Sequence, residues 1–231
     1  MRLELMTYNI RVGIETDLAR IAAAIRAVGV PDVLAMQEIG VRWNMGEHVD
    51  QPAVIARAIG LEHHTFAGAL TDERGGQFGI ALVSRYPLTD VSFEQLPRER
   101  DEQRVLLSAR LESPTPVRLL NTHLSVHEPE RLLQAQRVAA VAAAITGPVI
   151  VLGDLNDRPG TQVITAARGD LVDCFDSTGE GAPETFSVAD PHRRIDYILC
   201  GGPLTPVGTS KVALNARASD HFPLIASVEH R

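Results

Sequence analysis

The chain has 231 residues, 45% hydrophobic and 22% charged, which is ordinary for a globular protein and enough for a substantial core. Its 29 acidic and 22 basic residues leave a net charge of −7, which argues against a long nonspecific grip on nucleic acid. Two cysteines, Cys174 and Cys200, are too few for a disulfide scaffold, and no apolar run approaches the roughly 20 residues that cross a bilayer.

Leu3–Ile10 reads as a first strand, entered at once, with no basic region followed by an apolar one; a cytoplasmic location is expected. Asp17–Val28 follows as a helix, with Leu18, Ile21, Ala22, Ile25 and Val28 on one face. Thr16 or Asp17 caps its start, and Gly29 with Pro31 ends it. Asp32–Ile39 reads as the next strand, and a helical pattern runs through Gln51–Ile59. Strands are expected at Glu62–Ala67, Gln77–Ser84, Thr89–Leu96 and Arg104–Leu111. A second strand-helix-strand unit follows: Val117–Leu124, Pro129–Ile145 and Val149–Gly153, with Pro129 in the first helical turn and Gly147-Pro148 as the stop. Arg194–Cys200, Val207–Val212 and Leu224–Val228 complete the strands, and Cys200 reads as a small buried residue.

Each strand-helix-strand unit implies parallel strands joined by a right-handed crossover. Ligands gather at the carboxyl ends of such strands. Those ends carry Asn9 and Glu38 in the first unit, His123 and Asp154 in the second, so two facing halves would bring all four together. Strands outnumber helices, which suggests mixed sheets packed face to face with the helices outside. No linker or charge run divides residues 1–231, so one domain is expected.

The densest signal is Val149-Ile150-Val151-Leu152-Gly153-Asp154-Leu155-Asn156-Asp157, an apolar strand ending in Gly-Asp-x-Asn. A carboxylate or amide buried there is costly unless hydrogen-bonded, ion-paired or metal-bound. Asn9 in Thr-Tyr-Asn-Ile, Glu38 in Gln-Glu-Ile, His123 in Asn-Thr-His-Leu, Asp196 in Ile-Asp-Tyr-Ile, and Asp220-His221 in Ser-Asp-His-Phe-Pro are the other members of the set. In this order, over essentially the whole chain, the motifs resemble the endonuclease/exonuclease/phosphatase superfamily. The resemblance implies a four-layer α/β/β/α sandwich and metal-dependent hydrolysis of a phosphoester.

Glu38 offers an anionic oxygen to a hard cation, Mg²⁺ or Mn²⁺. The resemblance makes Asn9 and Asp220 supporting ligands or metal-water contacts. It makes Asp154 the group that orients or deprotonates the attacking water, with Asn156 bonding that water or a phosphate oxygen. Asp196 and His221 form an orienting pair, with His221 either a charge stabiliser or the general base. His123 resembles the branch with a second histidine, placed to protonate the leaving oxygen or hold a nonbridging one. Arg104 contacts phosphate or braces His123, and Trp43 either stacks on the substrate or packs in the core. Asn121, Thr122 and Ser219 support neighbouring backbone. Arg11, Arg193 and Arg194 face either substrate or solvent.

The resulting reading is a divalent-metal-dependent phosphoesterase acting on a small or lipid-derived ester, with no obligate protein partner. The compact length and the single lysine, Lys211, place a DNA or RNA nuclease second. A catalytically idle interaction module is disfavoured, since an idle site has no chemical need for Glu38, Asp154, Asn156, Asp196 and His221 together.

Overall fold

The computed structural model describes residues 1–230. In chain order the elements are β1 (Arg2–Asn9), α1 (Leu18–Val28), β2 (Val33–Val41), α2 (Gln51–Ile59), β3 (His63–Thr71), β4 (Gln77–Ser84), β5 (Leu88–Gln95), β6 (Val105–Leu111) and β7 (Val117–His123). They continue with α3 (Glu128–Ala143), β8 (Val149–Asp154), α4 (Gln162–Arg168), β9 (Val172–Asp173), α5 (Cys174–Thr178), β10 (Asp196–Gly201), β11 (Leu204–Val212) and β12 (Leu224–His230). A single 3-10 turn, Arg11–Gly13, follows β1.

The strands form two mixed six-stranded sheets, ordered β11-β12-β1-β2-β4-β3 and β5-β6-β7-β8-β10-β9. Side chains alternate between the two faces of a strand, and the central strands of each sheet are buried on both. Leu5, Val33 and Leu82 of the first sheet meet Leu107, Leu119 and Leu152 of the second in the central core. On the outer face of the first sheet, Met6 and Leu34 pack against Ile21 and Ile25 of α1 and Ile55 of α2. On the other outer face, Leu120 and Val151 pack against Ala135 and Val138 of α3 and Ile164 of α4. The result is the expected α/β/β/α order of layers. No helix among the described residues is long and apolar enough to cross a membrane.

Both strand-helix-strand units have the expected parallel strands. β1 pairs parallel with β2, and β7 with β8, where His123 stands opposite Asp154. Asp17 is the residue that caps α1, accepting from Arg20 N, and Gly29 ends the helix. Between the sheets, Asn121 Nδ2 donates to Met36 O (3.1 Å) and Ala81 O (2.9 Å), while its Oδ1 accepts from Gln37 Nε2 (2.8 Å). This buried amide joins β7 of one sheet to β2 and β4 of the other.

Some boundaries differ from the sequence pattern, for local reasons. β3 runs on through Gly68, which lies opposite Gly79 of β4, so two residues without side chains bridge the interruption. β11 starts at Leu204 and includes Pro206, tolerated because β11 is an edge strand. α3 ends at Ala143, before the Gly147-Pro148 stop. Three short elements, α4, β9 and α5, carry no sequence periodicity to announce them. Side-chain caps start both helices: Thr161 accepts from Ile164 N, and Asp173 from Phe175 N and Asp176 N.

Candidate active site

The four strand ends named by the sequence meet at one rim of the sandwich. Asn9 links the two units directly. Its Nδ2 donates to Glu38 Oε1 at 2.9 Å and to Asp154 Oδ2 at 3.1 Å, and its Oδ1 accepts from Arg11 N at 3.1 Å. β10 runs antiparallel to β8, so its first residue, Asp196, lies opposite Asp154.

Glu38 sits where β2 slips register against β4, between Met36 and Ile39, and its φ is +48°. A bulge of this kind re-aims a side chain. A positive φ at a non-glycine residue persists only where its surroundings impose it. Burial pushes the Glu38 carboxyl above its usual range; Asn9 opposes that, and the charge of Asp220 adds to it. Arg11 and Arg104 line the same cavity as Glu38 but pair elsewhere. Arg11 lies 3.4 Å from Asp220, and Arg104 lies 3.7 Å from both Asp101 and Glu102. Asp220 also accepts from Ser219 Oγ at 3.2 Å, so Ser219 supports a carboxylate rather than backbone.

Asp154 is buried, and its Oδ1 accepts from Asn156 N at 2.9 Å. Burial raises its carboxyl, and the nearby Asp196 charge raises it further. His221 Nδ1 lies 2.9 Å from Asp196 Oδ2, and its Nε2 lies 3.6 Å from Asp154 Oδ2. Although burial opposes it, the charges of Asp196 and Asp154 push the imidazole up to about 10, so the ring carries a proton at neutral pH. Asp196 Oδ1 is buried without a hydrogen-bond partner.

His123 is pushed the other way, well below its usual value, first by burial and then by the charges of Arg104 and His221. Arg104 NH1 lies 3.1 Å from its Nδ1. A guanidinium can only donate, and the Asp154 carboxylate beside Nε2 accepts, so Nδ1 accepts and the ring proton sits on Nε2. That nitrogen lies 3.4 Å from Asp154 Oδ2 and 3.0 Å from Asn156 Nδ2, a second donor whose own bond goes to Leu124 O at 2.8 Å. Of its two expected roles, Arg104 visibly fills the brace for His123.

Trp43 follows β2 and packs on Phe78, with ring centroids 5.6 Å apart. The pair borders a cavity of about 200 Å³ shared with Ile14, Met45, Glu38 and Arg104. Trp43 therefore packs against a neighbour and faces the site at once. Asn121 and Thr122 bond backbone carbonyls as expected. Arg194 faces neither substrate nor solvent: it is buried against Asp173 (2.9 Å) and Asp176 (2.7 Å). Two contributors were not legible in the sequence. Phe186 packs on the His221 ring with centroids 4.8 Å apart, and Thr185 Oγ1 accepts from Ile195 N and Asp196 N, fixing the start of β10. Both lie in an aperiodic segment that offers no signal beyond composition.

A model of the endonuclease/exonuclease/phosphatase family matches residues 6–221, and the chain belongs to that family. Three solved structures illustrate the likeness. An endonuclease/exonuclease/phosphatase from Beutenbergia cavernae is 26% identical with a TM-score of 0.82, over 99% of this chain and 72% of that one. A mannosyl-6-phosphatase from Bacteroides thetaiotaomicron is 16% identical with a TM-score of 0.78, over 98% and 99%. TDP2 from D. rerio, complexed with a single-strand DNA product, is 18% identical with a TM-score of 0.75, over 99% of both chains. At those identities the last two speak to the fold alone. No curated protein matches the chain. Enzymes of this family hydrolyse phosphoesters and generally depend on a divalent metal, and this chain is a phosphoester hydrolase.

Proposed function

We propose that the chain hydrolyses a compact phosphodiester or phosphomonoester, small or lipid-derived, with the help of Mg²⁺ or Mn²⁺, by in-line attack of water. The observation that carries this reading is the convergence on Asp154 Oδ2, where Asn9 Nδ2, His123 Nε2 and His221 Nε2 stand at 3.1, 3.4 and 3.6 Å. In this reading Asp154 holds the water and takes its proton, and its raised basicity suits that role. Asn156 orients the water. His221, kept charged by Asp196, donates to a phosphoryl oxygen and offsets the charge that builds there. His123 Nε2–H and Asn156 Nδ2 crowd one point as two donors, and a phosphoryl oxygen placed there accepts from both.

Glu38, with Asn9 and Asp220, is the donor set that fits a hard cation. A buried carboxylate, pushed up by burial and by a second carboxylate, is the environment that a divalent ion relieves. Asp154, Asp196 and His221 also offer ligand atoms within 4.8 Å of one another. That set fits less well, because a charged imidazole has no free lone pair and His221 Nδ1 is already bonded to Asp196. An ion held at Glu38 supplies Lewis-acid polarisation of a phosphoryl oxygen.

The Trp43–Phe78 cavity, small and walled on one side by Val12, Ile14, Met45 and Leu70, supports a compact or lipid-derived leaving group. The net charge of −7 supports the same preference. The reading takes residues 1–231 as one catalytic domain, located in the cytoplasm and working without a protein partner. A nuclease is the second reading, favoured by the likeness to TDP2 in its complex with single-strand DNA. The test is kcat/KM for a panel of small and lipid phosphoesters, and for duplex and single-stranded DNA, at about 0.15 M salt with either ion. Turnover on the panel is expected. Efficient DNA cleavage with none on the panel would promote the nuclease.

A further inference from the structure

A second pocket, of about 380 Å³, shares no lining residue with the Trp43 cavity. Its walls include Arg131, Asn156, Asp157, Arg158 and Arg193. Three arginines against one aspartate invert the sign of a chain whose net charge is −7.

The three arginines are not equivalent. Arg131 is already satisfied: it lies 3.2 Å from Asp157 Oδ2 and donates to the carbonyls of Ser125 (3.1 Å) and Val126 (2.8 Å). Arg158 is exposed, and among the described residues neither it nor Arg193 has a carboxylate within 4.0 Å. The Arg193 guanidinium lies over Phe186, 4.7 Å from the ring centroid, and its Nε is buried with no hydrogen-bond partner. A buried charged donor without an acceptor is disfavoured, unless something not in the chain supplies the acceptor.

The pocket joins the catalytic rim through shared residues. Asn156 lines it, and the same amide reaches His123. Phe186, beneath Arg193, is the ring that packs on His221. An anion held here therefore lies within one small molecule's span of a phosphoryl group at Asp154. Two free guanidiniums match the charge and the multiple acceptors of a phosphate, which carries about −1.5 to −2 near neutral pH.

We propose that this pocket binds a second phosphate group of the substrate, a monoester on a small molecule, with Arg158 and Arg193 as its ligands. The proposal rests on the phosphoesterase reading and narrows its substrate to a compact ester bearing two phosphoryl groups.

The test has two arms. In the first, inorganic phosphate is titrated into the intact protein while arginine Nε–Hε resonances are followed by NMR. Saturable shifts at Arg193 and Arg158 are expected, with affinity weakened at least about fivefold by Arg158→Ala and by Arg193→Lys. In the second, kcat/KM is compared for matched sugar monophosphates and bisphosphates. A preference for the bisphosphate is expected, falling about tenfold in Arg158→Ala while monophosphate turnover stays unchanged. No shift at either arginine with millimolar phosphate would overturn the proposal. So would a preference confined to single-stranded oligonucleotides, which would assign the pocket to the next phosphate of a polymer. If phosphate shifts both arginines but no phosphoester is turned over, the pocket stands and the catalytic reading falls. Turnover with silent arginines gives the reverse.

Discussion

His123 and His221 flank one carboxylate oxygen, yet their surroundings push them in opposite directions. The two arms of the pH dependence follow. His221 titrates near 6.5 in the unfolded chain and at about 10 when folded, so its stabilising contribution is complete below 6.5 and is lost as pH rises towards 10. His123 is depressed when folded, so below 6.5 the unfolded chain binds a proton that the folded chain refuses, and stability falls with pH. For these two residues, metal-free protein is expected to be most stable near pH 6.5. Imidazole NMR should show His221 charged and His123 neutral there; a neutral His221 at pH 7 would contradict the assignment. Asp154→Ala, His221→Ala and His123→Ala are each expected to lower kcat about 100-fold or more, with unchanged circular dichroism. Asp196→Asn acts through its neighbour: it should lower the His221 titration point and pull the alkaline limb of the rate profile down with it.

At the scale of the element, strand ends position the chemistry, and β8 shows how tightly. Gly153 precedes Asp154 with φ +151°, and a Cβ there would lie 2.0 Å from Thr122 O on β7. Gly153→Ala must therefore push β7 and β8 apart where His123 and Asp154 are register partners. A loss of about 1–3 kcal/mol in urea denaturation is expected, with a larger proportional loss of turnover. The strands, both crossover units and the polar ends were legible in the sequence because apolar periodicity and Gly/Pro stops record them directly. Three things were not. Elements as short as α5 and β9 have no period to detect. The slip of β2 at Glu38 is a relation between two strands, written in neither alone. The partnerships of Arg193 and Arg194 depend on which loops fold back beside β10, and the sequence separates Phe186 from His221 by 34 intervening residues.

Across the whole molecule, the central core draws side chains from both sheets, so neither sheet keeps its buried face without the other. One cooperative thermal transition is expected for residues 1–231; two resolved calorimetric peaks would break the single-domain reading. Chelator treatment should abolish activity, and Mg²⁺ or Mn²⁺ should restore it, because Glu38 and Asp220 are oxygen donors. Full turnover in excess chelator would remove the metal from the account. The Asn121 amide has a further consequence at this scale. Two apolar faces, left to themselves, can glide over one another with little change in buried area. Asn121 works as a dowel between them, because its bonds to Met36, Ala81 and Gln37 exist in only one alignment. Catalysis demands that alignment far more than folding does, since a shift of about 1 Å at a reacting group can cost about 100-fold in rate. Asn121→Leu should thus yield a sandwich that still melts cooperatively, with Asn9 and Glu38 on one half a fraction of a step out of phase with His123 and Asp154 on the other: sound in the calorimeter and slow in the assay.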